Sequence, residues 1–149
     1  MGAASSIENG IMRTIYVSYD YRCKDNIYIR ILRDELRKSG LNIVYSEITT
    51  DKMNHLDTCE ISAQINHIMK HMDYFIFCVS EYTIRSFHQT IEMNTARECQ
   101  KKCIYLMMDK SYTPHNSIFA KSLVTNQKWL PFYTDEHVID FLELLYPEK

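Results

Sequence analysis

Hydrophobic and polar positions alternate along the chain in two kinds of segment. Short apolar runs rich in β-branched and aromatic residues lie at 13–18 (RTIYVS), 41–46 (LNIVYS), 73–80 (DYFIFCVS), 102–108 (KCIYLMM) and 128–133 (KWLPFY). Each reads as a β-strand. The run at 73–80 is the most continuous, as a central strand covered on both faces would be. Pro131 assigns the last run to a sheet edge.

Between the runs the apolar period changes to three and four. Ile27, Ile31, Leu32 and Leu36 predict a helix capped by Asp25 and running to Ser39. Gly40 follows, where a helix end takes a left-handed residue. Ile61, Ile65, Ile68 and Met72 mark a helix over 59–72, and a third spans 86–100. A short helical piece is expected at 117–123. A closing helix capped by Asp135 carries Val138, Phe141, Leu142 and Leu145. The polar stretch 47–58 has no apolar period and reads as a long loop, a kind of segment that usually carries function.

Strands alternating with helices predict one α/β domain over 13–149, behind a leader at 1–12. Its flavodoxin-like, doubly wound parallel sheet has the order 2-1-3-4-5. Ligands of such sheets sit at the carboxyl ends of the strands, where the strand order reverses. That directs attention to 18–24, 47–58 and 80–92.

Composition narrows the chemistry. The chain has 149 residues with net charge −2, and no basic run exceeds Lys101-Lys102, which argues against nucleic acid as a partner. Five cysteines, at 23, 59, 78, 99 and 103, form no CxxC pair and fit buried thiols in a reducing, cytoplasmic compartment. With three glycines in all, neither a GxGxxG nor a Walker loop is present, and GxSxG is absent too. His67 and His71 have a zinc-compatible spacing but no evident third ligand, so no metal is expected. Met1 to Ser6 fits an N-myristoylation pattern on Gly2, or else an unstructured small-residue leader. With no polybasic segment beside it, one acyl chain gives weak, peripheral membrane contact.

The strand-end segments resemble a TIR (Toll/interleukin receptor) domain. Ile15-Tyr16-Val17-Ser18-Tyr19-Asp20 is similar to the family's first strand and its exit, and Ile61 to Ile65 to the helix after its long loop. The run Asp73 to Ser80, followed by Tyr82, Ser86, Glu92 and Ala96, is similar to its third strand and following helix. The resemblance covers residues 13–146. His88-Gln89 stands where the family has an aromatic-Cys pair, the 47–58 loop lacks Gly and Pro, and the last third matches more loosely.

The resemblance implies innate-immune signal transduction by self-association and contact with other TIR-domain proteins. In some members it implies cleavage of the nicotinamide–ribose bond of NAD+, which is then substrate and not cofactor. Glu92 occupies the catalytic position. A lone carboxylate suffices chemically, because the ring leaves neutral and the transition state is oxocarbenium-like. The bland alternative is that Glu92 is a solvent-facing helix residue.

His88, one turn earlier, shares its face and would take the stacking role, or else is a surface histidine near the helix start. Ser18, Tyr19, Tyr21, Arg22, Ser80, Tyr82 and Ser86 are the substrate-binding candidates; Tyr21 and Arg22 serve equally as solvated loop side chains. Met53 and Leu56 are the expected apolar anchors of the interaction loop. The rival function is a non-enzymatic TIR adaptor or decoy. A third is a flavodoxin-like domain binding an unrelated nucleotide.

Overall fold

A computed structural model describes residues 14–46 and 55–145; Gly2, the 1–12 leader, Met53 and most of the 47–58 loop lie outside the described residues. Five strands, β1 (Thr14–Ser18), β2 (Asn42–Tyr45), β3 (Tyr74–Val79), β4 (Lys102–Met107) and β5 (Trp129–Pro131), form one sheet. Every pairing is parallel and the order is β2-β1-β3-β4-β5, as expected. Among the described residues five α-helices flank it: α1 (Ile27–Lys38), α2 (Thr58–Met69), α3 (Phe87–Glu98), α4 (Ile118–Leu123) and α5 (Asp135–Leu145).

The two-residue period of the strands sorts side chains into two cores. Ile15, Val17, Tyr19, Ile76, Cys78 and Leu106 face α1 and α5, packing with Leu32, Leu36 and Phe141. Tyr16, Phe75, Phe77, Val79 and Tyr105 face the other helices, packing with Ile65, Met69, Ala96 and Leu123. β3 is therefore buried on both faces, which is why its sequence is a continuous apolar run. Pro131 ends β5 at the sheet edge, where its missing N–H breaks no interior ladder.

Helix boundaries correct several expectations. Asn26, not Asp25, caps α1: its side chain accepts from the Tyr28 and Ile29 N–H groups at 2.8 and 3.3 Å. Asp25 is exposed and pairs loosely with Arg30 at 3.5 Å. Ile27 is 63% exposed, because the buried stripe of α1 is Ile29, Leu32 and Leu36 and the first helical residue falls on the opposite face. Asp57 and Glu60 form a reciprocal capping box, so α2 starts at Thr58 and ends at Met69, before Met72. At α5 the Thr134 hydroxyl accepts the His137 N–H at 3.1 Å, while Asp135 accepts from the Tyr28 hydroxyl. Gly40 does sit at φ +80°, as the end of α1 requires.

Candidate functional site

The order β2-β1-β3 reverses direction between β1 and β3, and the chain leaving these strands builds the site. After β1, Asp20 accepts the Arg22 N–H at 2.9 Å and pairs with the guanidinium through Nε at 2.8 Å and Nη2 at 3.0 Å. Burial works to raise the Asp20 carboxyl, but hydrogen bonds from Arg22 and Ser86 and the Arg22 charge outweigh it and hold it below its ordinary value. The Arg22 guanidinium lies 4.7 Å from the Tyr82 ring centroid.

After β3, the Ser80 N–H donates to Thr83 Oγ1 at 2.8 Å. Ser80 Oγ accepts from the Tyr82 N–H and the Cys23 thiol, each at 3.2 Å. Ser80 thus ties the two turns together, and its hydroxyl is committed to the scaffold. Ser86 caps α3 by accepting the Gln89 N–H at 3.2 Å.

α3 presents Gln89, Glu92, Thr95 and Ala96 to the sheet. Glu92 is 0% exposed, so the solvent-facing alternative is wrong. The same alternation that buries Tyr16 points Ser18 from β1, and Ser46 just after β2, toward α3. Ser18 Oγ donates to Glu92 Oε1 at 2.7 Å. Ser46 Oγ lies 2.8 and 2.9 Å from the two carboxylate oxygens. The Tyr16 hydroxyl donates to Oε2. Hydroxyl donors from two strand ends offset the large cost of taking a carboxylate out of water.

His88 Nε2 stands 3.4 Å from Glu92 Oε2, one helical turn away. Burial is the largest influence on its imidazole and lowers its pKa, while the Asp20 charge opposes this. His88 also lines a cleft of about 290 Å³ together with Asp20, Tyr21, Arg22, Arg85 and Phe87. Tyr21 and Phe87 are 54% and 55% exposed there, leaving two aromatic faces at its mouth. Larger depressions lie on the outer face of α1 (Lys24, Arg30, Arg33) and beside the amino ends of β3 and β4 (Tyr74, Lys102). Neither is at the switch point.

Of the residues expected to bind substrate, Ser18, Tyr21, Arg22, Ser86 and His88 gather around the cleft and the carboxylate. Tyr82 supports Arg22 from below. Tyr19 is different: it is 1% exposed, stacked on Tyr45 at 6.4 Å in the opposite core, and reaches the carboxylate's surroundings through its N–H, donated to Ser46 Oγ at 2.9 Å. Its ring is turned from the site because it shares the face of Ile15 and Val17. Leu56 is half-buried, packed against the second core.

Sequence reasoning missed Tyr16, Ser46, Gln89, Arg85 and Phe87. For Tyr16 the one available signal is a hydroxyl in an otherwise apolar strand. For Gln89 it is a polar residue three positions before Glu92. His67 and His71 stack edge to face at 5.3 Å, and no group of three potential metal ligands occurs among the described residues. No described helix is long and apolar enough to cross a membrane.

Fold and site together define a doubly wound, flavodoxin-like α/β domain with a buried carboxylate beside its switch-point cleft. The chain matches no protein-family model and has no significant match among curated proteins.

Proposed function

We propose that the protein is a TIR-like NAD+ nucleosidase, acting as an assembly of copies, with Glu92 as its catalytic carboxylate. The observation that carries this reading is the Glu92 carboxylate itself, held by strand-end hydroxyls and touched by His88 from the switch-point cleft. A ribose hydroxyl that takes the place of one of these donors would offer the carboxylate the same hydrogen bond. In the reaction the bond from ribose C1′ to the nicotinamide nitrogen breaks, and its electron pair leaves with the neutral ring. The fixed anion stabilises the oxocarbenium-like transition state. Water then bonds to C1′ and gives up a proton to solvent. Arg85 lines the cleft and makes no ion pair among the described residues, which suits a pyrophosphate oxygen.

One observation favours a second reading, a non-enzymatic TIR-like adaptor or decoy that works by homotypic contact. Glu92 has no exposed surface and joins β1, α3 and the exit of β2, as a purely structural polar clamp would. Concentrated protein incubated with NAD+ decides between them. Release of nicotinamide by wild type and its loss in Glu92→Gln supports the enzyme. No release from crowded wild type, or equal release by both, supports the adaptor.

A further inference from the structure

We propose that Tyr16, Ser18 and Ser46 form a donor cage that keeps Glu92 a carboxylate anion in one orientation, with Tyr16 as its positioning residue. Its catalytic meaning rests on the nucleosidase reading, whereas the cage itself is a matter of hydrogen-bond direction.

The direction is set from the backbone outward. Gln89 is fully buried, and the group it turns toward the Cys78 carbonyl, 2.9 Å away, must be its NH2, because a carbonyl only accepts. The same nitrogen reaches Ser18 Oγ at 3.3 Å. Ser18 therefore accepts from Gln89, and its single hydrogen goes to its other partner, Glu92 Oε1. The amide holds this orientation although its own Oε1 has no hydrogen-bond partner among the described residues. Ser46 accepts the Tyr19 N–H at 2.9 Å, and the nearest acceptors for its single hydrogen are the two carboxylate oxygens at 2.8 and 2.9 Å, with the Val17 carbonyl farther off at 3.5 Å.

Tyr16 adds its phenol hydrogen to Oε2. Three O–H groups thus converge on one carboxyl group. An acceptor-only anion satisfies all three, whereas a protonated acid would put its hydrogen against one of theirs.

The titratable neighbours fit this arrangement. Burial pushes His88 toward its neutral form, so at neutral pH it brings no full positive charge to the carboxylate, and its Nε2, at 3.4 Å, stands farther off than the serine hydroxyls. The Cys78 thiol, beneath Gln89, is pushed well above the usual thiol range by burial first, then by Cys23 and by the Glu92 charge. Tyr16 is also packed like a core residue, its ring 5.9 Å from that of Phe75. Tyr16→Phe therefore deletes the donor while keeping the volume.

The test is infrared spectroscopy of protein labelled with 13C-carboxyl glutamate, with Glu92→Gln subtracted to isolate the Glu92 band. Wild type at neutral pH should show the carboxylate stretch. In Tyr16→Phe the acid form should gain about tenfold in weight over wild type at equal pH. The nicotinamide-release profile should shift to higher pH in step, with KM unchanged. Ser18→Ala, carrying the same expectation, serves if Tyr16→Phe does not fold. A protonated-acid band in wild type at neutral pH, or a Glu92 titration identical in wild type and variant, overturns the cage. A carboxylate band that responds to Tyr16→Phe in a protein releasing no nicotinamide upholds the cage and removes the nucleosidase reading.

Discussion

Ser18 and Glu92 are 74 positions apart in the chain and 2.7 Å apart in the structure. That contact brings the end of β1 onto the buried face of α3 and makes the carboxylate part of the domain's interior. Substitutions at the site therefore act on folding as well as on chemistry.

Glu92→Gln should destabilise the fold by about 1–3 kcal/mol, since an NH2 group replaces one of two oxygens that face hydroxyl hydrogens. Urea unfolding measures this loss. An unchanged midpoint would mean that the hydroxyls do not point at the carboxylate. Activity must then be compared at a temperature where circular dichroism shows both proteins folded.

Arg85 makes no ion pair among the described residues and sits at the cleft with Phe87. Arg85→Ala should leave stability within about 0.5 kcal/mol. If the protein cleaves NAD+, KM should rise about tenfold with kcat little changed, because a phosphate contact acts equally in ground and transition states. Phe87→Ala should act in the same direction. A fall in kcat at constant KM would place both side chains nearer the reacting bond.

Two groups give stability the same pH slope. Asp20 is held below its ordinary 3.8 in the folded protein, so its contribution is complete above that value and is lost as pH falls through the lower, folded value. His88 is held below 6.5, so the unfolded chain binds its proton first. Folding stability should therefore fall as pH drops from 6.5 toward the folded value of His88, and fall again below 3.8. His88→Gln should flatten the first step and Asp20→Asn the second, as read from unfolding free energies across pH. A first step that survives His88→Gln belongs to another group.

Leu56 packs against the second core, so Leu56→Asp should destabilise the domain by about 1–3 kcal/mol. Any loss of self-association in that variant then follows from the fold. Sedimentation paired with thermal unfolding separates the two effects. Weakened association at unchanged melting temperature would support Leu56 as an interface anchor.

Much of the architecture is local in origin and could be read along the chain. The doubly apolar run at 73–80, the Gly40 stop and the alternation of periods determine the elements, and right-handed crossovers between parallel strands leave few orders besides 2-1-3-4-5. Caps were less legible, because Asp25 and Asn26 are equally good cap residues by type and only the path of the turn selects between them.

The site was legible in part. Glu92, Ser18 and His88 could be placed near a switch point from the sequence, but what surrounds Glu92 could not. α3 has polar residues on both faces, so its period does not say which face is buried. A carboxylate is stable inside only where donors meet it, and these come from Tyr16, Ser18 and Ser46 on segments remote from α3. The chain alone determined the elements, since those follow from neighbours two to four residues away. Tertiary packing alone decided that Glu92 is buried and Tyr19 turned away, since both depend on which strand faces meet which helix.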